Sequence, residues 1–498
     1  MEATPSPELP ASQIPATSCQ IPLIPSNLLQ TFLSSTNSKT LDEALQSLSE
    51  ASRTSEGRSH LASIKSLLPS LLSLLSHSLY PISLPLKILR NLCAGEILNQ
   101  TSFIESDGID VVAAALKSQP LDLDVARFGL QLLGNVSLAG EMHRSAVWDR
   151  FFPEGFEEIA QVRISDVVDP LCMVLCTCCE GSSRRSEEIH GDRGLRIVAE
   201  ILTTASAVGF REDWLPALAT RICFKESYLR HLFLELSSTK NSSSLKCLEA
   251  PFTVEQAFLL NLLSETINQQ IDRINVSNDF ALLVLEILKN ASTVVDSISR
   301  GQSALPTGSP TINVLGYSLS ILRDLCARED PNESSSMLST GGSETEGSML
   351  VVDSLLHSGL LTLLLCLLHE LEPPEIIRKS RAQEENQGKV CPYIGYRRDI
   401  VAVIGNCTFR RKLVQDEIRQ QNRILLLMQQ CVVDMDNPFL REWGIWAVRN
   451  LLEGNIDNQR QVAEMELQGS VGTPEISGLG LRVEVDQKTQ RAKLVNIS

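Results

Sequence analysis

Residues 436–459 read DNPFLREWGIWAVRNLLEGNIDNQ, and the fold is decided by this stretch. Asn437 followed by Pro438 is a helix-start signal: Asn accepts from free first-turn amides, and Pro is tolerated where its missing N–H has no partner anyway. The helix is therefore expected to begin near Pro438 and to stop at Gly454, a residue suited to the left-handed position past the last turn. Arg449 and Glu453 stand four apart in the last turn and are expected to pair. Phe439, Leu440, Trp443, Ile445, Trp446, Ala447, Val448, Leu451 and Leu452 cover most of the circumference, leaving a narrow polar stripe through Glu442, Arg449 and Glu453. That pattern predicts a helix buried between neighbours. Gly444 in its middle costs about 1 kcal/mol relative to Ala in an exposed helix, so it is expected to allow close approach of another helix.

Working outward, the same unit recurs. Ile88-Leu89-Arg90-Asn91-Leu92-Cys93-Ala94 and Ile321-Leu322-Arg323-Asp324-Leu325-Cys326-Ala327 differ at one position of seven. Leu133-Gly134-Asn135-Val136, Ile404-Gly405-Asn406-Cys407 and Arg449-Asn450-Leu451 repeat the core of it. Eight and nine positions past the Asn stand Asn99-Gln100 in the first copy and Asn458-Gln459 in the last; an apolar residue follows at twelve, at Phe103, Ile418 and Val462. Weaker copies centre on Thr177 and Asn261. The anchors 91, 135, 177, 261, 324, 406 and 450 are spaced 44, 42, 84, 63, 82 and 44, close to one or two multiples of 42 with one misfit. A period of about 40–47 residues with two or three helices per unit marks armadillo and HEAT repeats, in which each unit is stable only by stacking on the next. The expected fold is all-α, an armadillo/HEAT-like right-handed superhelical solenoid of stacked helical repeats.

Composition agrees. Hydrophobic residues make up 43% of the 498-residue chain and aromatics only 5%, which suits a large core built from aliphatic helices. A net charge of −16 argues against nucleic-acid binding, which needs a concentrated basic face. The best basic clusters, Arg397-Arg398 and Arg410-Arg411-Lys412, read as solvated helix ends. The first thirty residues lack Lys and Arg, so no targeting segment is expected. No apolar run reaches a membrane span; the nearest, Met349 to Leu371, is broken by Asp353, His357 and Gly359, so membrane insertion is not expected. Thirteen scattered cysteines suggest free buried thiols in a reducing compartment, and the cytoplasm is the expected location.

In order along the chain, residues 1–25 are a Pro/Ser-rich tail expected to lack fixed structure. Residues 26–327 carry the first block of repeats, with helical patterns at Leu28–Leu33, Leu41–Ala51 and Leu61–Leu75. Residues 328–348 form an acidic Ser/Gly-rich loop expected to split the array; its serines 334, 335, 336, 339 and 343 read as a solubilising linker or an acidophilic kinase substrate. Residues 349–466 carry the second block, interrupted by a long connection over 372–390. Residues 467–498 are a polar tail in which Leu481 to Val485 alternates like a strand.

The run Tyr396-Arg397-Arg398-Asp399-Ile400-Val401 with Ile404-Gly405-Asn406, followed by Asn437 to Trp443 and Trp446 to Asn455, resembles the C-terminal domain of the ataxin-10 family, placed at about 391–466. The resemblance is close over roughly the last fifth of the chain, and chain lengths and loop compositions suit a plant member. It departs from the family at Gly444, where members often carry an apolar residue. It implies an armadillo-like cytoplasmic protein without known catalysis, acting through protein partners in cell division (cytokinesis), survival or development.

Enzymatic chemistry finds no support in the residues. Cys172, Cys176 and Cys179 lie on one helical face with Cys178 beside them, but the nearest His is His190 across a charged loop, so the stripe reads as buried thiols rather than a zinc site. No nucleophile elbow or phosphate-cradling loop occurs. No catalytic residue, cofactor or metal is expected. Trp446 and Asn450 stand four apart, as in the ladders that hold basic peptides in nuclear-import armadillo proteins, but the residues four before Asn91, Asn135 and Asn406 are Lys87, Gln131 and Ala402. The recurring Asn is read mainly as a bond to a neighbouring helix end. The expected function is a non-enzymatic scaffold or adaptor for other proteins, with self-association left open; the alternative is a peptide-cargo receptor of the import type. Arg441, Glu442, Trp446, Arg449, Asn450 and Glu453 are the candidate partner-binding residues.

Overall fold

The computed structural model describes residues 38–76, 81–117, 122–224, 228–237, 252–270, 274–300, 308–328, 350–380, 388–465, 481–485 and 492–496. The expected tail over 1–25, the pattern at Leu28–Leu33 and almost all of the acidic segment 328–348 lie outside these. The chain divides into two compact units between Ile222 and Cys223. Each is a stack of helical repeats, so the protein is all-α and armadillo-like, apart from a C-terminal pair of strands.

In the first unit, helices Ser38–Ala51, Ser83–Leu92, Leu123–Ser137 and Ser165–Cys179 pack successively on one another. Between them run pairs of shorter helices such as Ile97–Glu105 and Gly108–Leu116. The expected single segment Leu61–Leu75 is in fact two helices, Ser55–Ala62 and Leu67–Leu75. In the second unit the stacked helices are Val254–Gln269, Pro310–Ala327, Tyr396–Thr408 and Leu440–Leu452. Local chemistry starts several of these: Asp122 accepts from the amides of Asp124 and Val125, Thr253 and Gln256 form a reciprocal capping box, and Ser309 accepts from Ile312 behind Pro310.

The spacing of the anchors over-counts the repeats. Asp324 and Asn406 are 82 apart, read above as two periods, yet their helices pack directly on each other. The extra length goes into one oversized repeat that contains Val351–His357, Leu360–Glu370 and Glu375–Ser380. The expected split of the array at 328–348 falls almost wholly outside the described residues, and the expected connection over 372–390 includes the short helix Glu375–Ser380. The misfit of 63 between Asn261 and Asp324 is likewise one step.

What the recurring residues do is visible at each junction. The amides of Asn135, Asn406 and Asn450 donate to the carbonyls of Arg90, Arg323 and Gly405 at 2.9–3.0 Å. Each acceptor is the residue just before the anchor of the preceding stacked helix. Asn91, at the head of the series, donates to the Ser52 hydroxyl at 3.0 Å. Downstream, Asn99 and Asn458 donate to the carbonyls of Leu92 and Leu451, one past their own anchor. Gln100 bridges Cys93 and Asn135, and Gln415 bridges Thr408 and Asn450. These are the last-turn carbonyls that a helix cannot satisfy by itself. The degenerate copy at Thr177 keeps the function with other residues: Arg185 donates to Cys178 and Ser186 to Cys179.

Among the described residues no single helix is long and apolar enough to cross a membrane; Val351–His357 and Leu360–Glu370, within the stretch singled out above, are bent by 60°. Cys172, Cys176, Cys178 and Cys179 are free and buried in the Ser165–Cys179 helix. Burial pushes Cys178 up to about 11 and Cys176 and Cys179 up to about 12, and it holds Cys172 well above an ordinary thiol. These raised values favour the folded, protonated form, so their contribution to stability is full below the ordinary thiol value of 9.0 and is lost as pH rises toward 11–12. Iodoacetamide at pH 8 is expected to alkylate exposed Cys366 in the native protein and to reach these four only in guanidinium, as read by peptide mass spectrometry. Native labelling of the four would mean that this helix opens.

Candidate partner-binding groove at the last repeat

The last stacked helix, Leu440–Leu452, begins two residues later than its sequence suggests, after Phe439 in a left-handed conformation (φ 65°). Asn437 does not cap it. Its side-chain oxygen accepts from the Arg397 amide at 2.9 Å, capping the neighbouring Tyr396–Thr408 helix instead. The C-terminal stop is as expected, at Gly454 with φ 67°.

Three stripes run along this helix. Leu440, Gly444, Ala447 and Leu451 face inward and are buried. At Gly405 an added Cβ would lie 3.2 Å from the Ala447 Cβ, which shows how closely the last two stacked helices approach. Gly444 admits a close neighbour, as expected, but the neighbour is the backbone turn at Gln430–Cys431 and not a helix. A second stripe, Glu442, Trp443 and Trp446, lines an open groove. A third, through Ile445 and Val448, faces outward.

The prediction of a helix buried on nearly all sides is therefore corrected. Ile445 is 55% exposed and Trp446 44%, since among the described residues no further repeat covers this end. The Arg449–Glu453 pair is absent from the ion pairs of the described residues; the Arg449 guanidinium instead lies over the Trp446 ring, 4.9 Å from its centroid.

The groove encloses about 590 Å³ across four stacked helices. Asn268, Arg323, Asp324 and Ala327 form one wall, Asn406 the floor, and Glu442, Trp443 and Trp446 the other wall. The Arg323 guanidinium donates to Asp324 at 2.8 Å, and the Asn268 amide reaches the same carboxylate at 3.3 Å. Asn406 is held in place by its bond to the Arg323 carbonyl. Among the described residues neither indole N–H makes a hydrogen bond. The groove thus offers two aromatic faces, two unspent donors and the half-exposed Glu442 carboxylate.

Of the six candidate residues, Glu442 and Trp446 line the groove, Arg449 braces Trp446, and Arg441 is an exposed partner of Glu442 at 3.2 Å. Asn450 does not qualify: it is fully buried, with its amide donated to Gly405. Glu453 lies past the groove, where its carbonyl accepts from Gln415 at 3.3 Å. Trp443, Asn406, Arg323, Asp324 and Asn268 were missed. Trp443 was legible, three residues from Trp446 on one helical face; the others come from earlier repeats and depend on the stacking order. Of the basic clusters, Arg397 is not a solvated helix end. It is buried beneath the 424–437 connection, bonded to Gln430 at 3.3 Å and to the Glu372 carbonyl, and burial lowers its pKa.

A family model described as the spinocerebellar ataxia type 10 protein domain matches residues 396–495, which takes in the groove-forming helices Tyr396–Thr408 and Leu440–Leu452 and the two C-terminal strands. Ataxin-10 of Xenopus tropicalis is 24% identical over 411 residues, covering 80% of this chain and 77% of its own. Ataxin-10 of Homo sapiens is 24% identical over 424 residues, covering 84% and 82%. The ataxin-10 homolog of Dictyostelium discoideum is 32% identical over 93 residues, 19% of this chain and 15% of its own. Among solved structures, an engineered protein covers 85% of this chain and 98% of its own at 14% identity, with a TM-score of 0.36. A designed armadillo repeat protein in complex with the peptide (KR)4 covers 50% and 92% at 12% identity, with a TM-score of 0.35.

Proposed function

Because the chain belongs to the ataxin-10 family, we propose that it is a non-enzymatic scaffold that holds protein partners in the groove of its last repeats, in the cytoplasm, and serves cell division, survival or development through them. The observation that carries this reading is the Trp443–Trp446 pair. Large aromatic side chains left open beside a polar wall are the residues that anchor interfaces, where a few of them supply most of the affinity. The free thiols buried in both units fit a compartment that keeps cysteine reduced. The import-receptor alternative is disfavoured, since the amides of Asn135, Asn406 and Asn450, which such a receptor would offer to a peptide backbone, are already donated inside the stack.

The test is affinity capture from cell extract with mass spectrometry, comparing the intact chain with a Trp443→Ala/Trp446→Ala variant shown by circular dichroism to be folded. At least one partner is expected to be lost from the variant, with affinity down at least about 30-fold for an anchor worth 2 kcal/mol or more. Identical partner sets from the two folded proteins would place recognition elsewhere.

A further inference from the structure

The outward stripe of the Leu440–Leu452 helix is built like an internal junction, but among the described residues no further repeat follows it. Five residues before each anchor stand Leu86, Leu130, Leu319 and Val401, all 0% exposed, whereas their counterpart Ile445 is 55% exposed. Val448 is half-buried where Leu89, Leu133, Leu322 and Ile404 are fully covered. Gln459 repeats the pattern. Gln100 and Gln415 each bridge to the next stacked helix, but among the described residues Gln459 donates only to its own Leu452 carbonyl, and it is exposed. An apolar junction left open is unfavourable in water, and helical arrays need a cap at each end.

The chain itself supplies a second segment with an apolar sequence pattern. Beyond Met465 it continues for 33 residues and forms strands Leu481–Val485 and Ala492–Asn496, paired antiparallel with Val483 opposite Leu494 and Val485 opposite Ala492. By strand alternation Leu481, Val483, Val485, Ala492, Leu494 and Asn496 share one face, while Arg482, Glu484, Lys493 and Val495 share the other, so the first face is the more apolar. A lone two-stranded hairpin is marginal in water and needs a surface to pack on. The 15 residues between Met465 and Leu481 can span up to about 50 Å, more than the roughly 20 Å length of the Leu440–Leu452 helix. The family match over 396–495 takes in the last repeat and both strands as one block.

We propose that the hairpin lays its Leu481/Val483/Val485 face over the open end of the last repeat at Ile445 and Val448, closing the stack as an end cap. The groove at Trp443 and Trp446 lies on a different stripe of the helix and stays open. This proposal is therefore independent of the groove's role.

The experiment places the photo-cross-linker p-benzoylphenylalanine at Ile445 of the full chain and maps the adduct by mass spectrometry, with the monomer separated from any dimer by mass. The expected result is an adduct within one chain, to residues 481–496. Val483→Asp with Val485→Asp is expected to cut its yield at least about tenfold, as burying two carboxylates disfavours docking, whereas Glu484→Lys on the opposite face leaves it unchanged. Three results would overturn the proposal: adducts only to a second copy, no adduct to 481–496 in a folded chain, or equal yields from both hairpin variants.

Discussion

Replacing Gln415 by Leu is expected to destabilise the protein by about 2–3 kcal/mol, measured by urea or thermal unfolding followed by circular dichroism. The Gln415 side chain is 2% exposed. Its amide serves the carbonyls of Asn450 at 2.8 Å, Glu453 at 3.3 Å and Thr408 at 3.4 Å, and its oxygen accepts from Asn455 at 3.2 Å. Leu matches it in bulk but leaves carbonyls at two helix ends without donors and away from water, the situation in which the full desolvation penalty is felt. Gln459→Leu is the internal control. It occupies the same position of the repeat and donates at 2.8 Å to the equivalent carbonyl, Leu452, but it is exposed and makes no bridge among the described residues. Its loss is expected to cost no more than about 0.5 kcal/mol. Equal losses at the two positions would show that the bond within one repeat, and not the bridge between repeats, carries the effect.

The second large effect reverses a propensity argument. Gly444→Ala in an exposed helix would stabilise by about 1 kcal/mol. Here a Cβ would sit 2.5 Å from the carbonyl oxygen of Gln430, 2.7 Å from its carbon and 2.9 Å from the Cys431 nitrogen. All three are backbone atoms and cannot swing aside, so the Ile424–Met428 helix and its exit turn must move. The expected outcome is a net destabilisation of about 1–3 kcal/mol, larger for Gly444→Leu. Ile445→Ala, one residue along on the outward stripe, tests the complementary point. A stabilised Gly444→Ala variant would mean that the 429–431 turn yields freely.

Two links of the candidate site were readable before any coordinates. Trp443 and Trp446 fall on one face at helical spacing, and the repeated Asn positions announced the bonds that Asn135, Asn406 and Asn450 make to the preceding stacked helix. The period could not say which anchors are neighbours in space, since the 82 residues from Asp324 to Asn406 look like two repeats and fold as one. The groove's far wall at Asn268, Arg323 and Asp324 was hidden for that reason. Asn437 is a comparable case: beside Pro438 it looks like a cap for its own helix, yet it binds Arg397 forty residues earlier. Hydrogen-bonding side chains take whichever free amide the packing brings near, and local sequence registers only the closest along the chain.

By itself the sequence determined the helical class, the approximate repeat step, the Gly454 stop and the Asn series that bonds neighbouring helices, because propensity, periodicity and end-capping act over a few neighbouring residues. Only the tertiary structure decided which stripe of the last helix is buried. Leu86, Leu130, Val401 and Ile445 are interchangeable as letters, and what separates 0% from 55% exposure is whether another repeat follows to take that surface out of water.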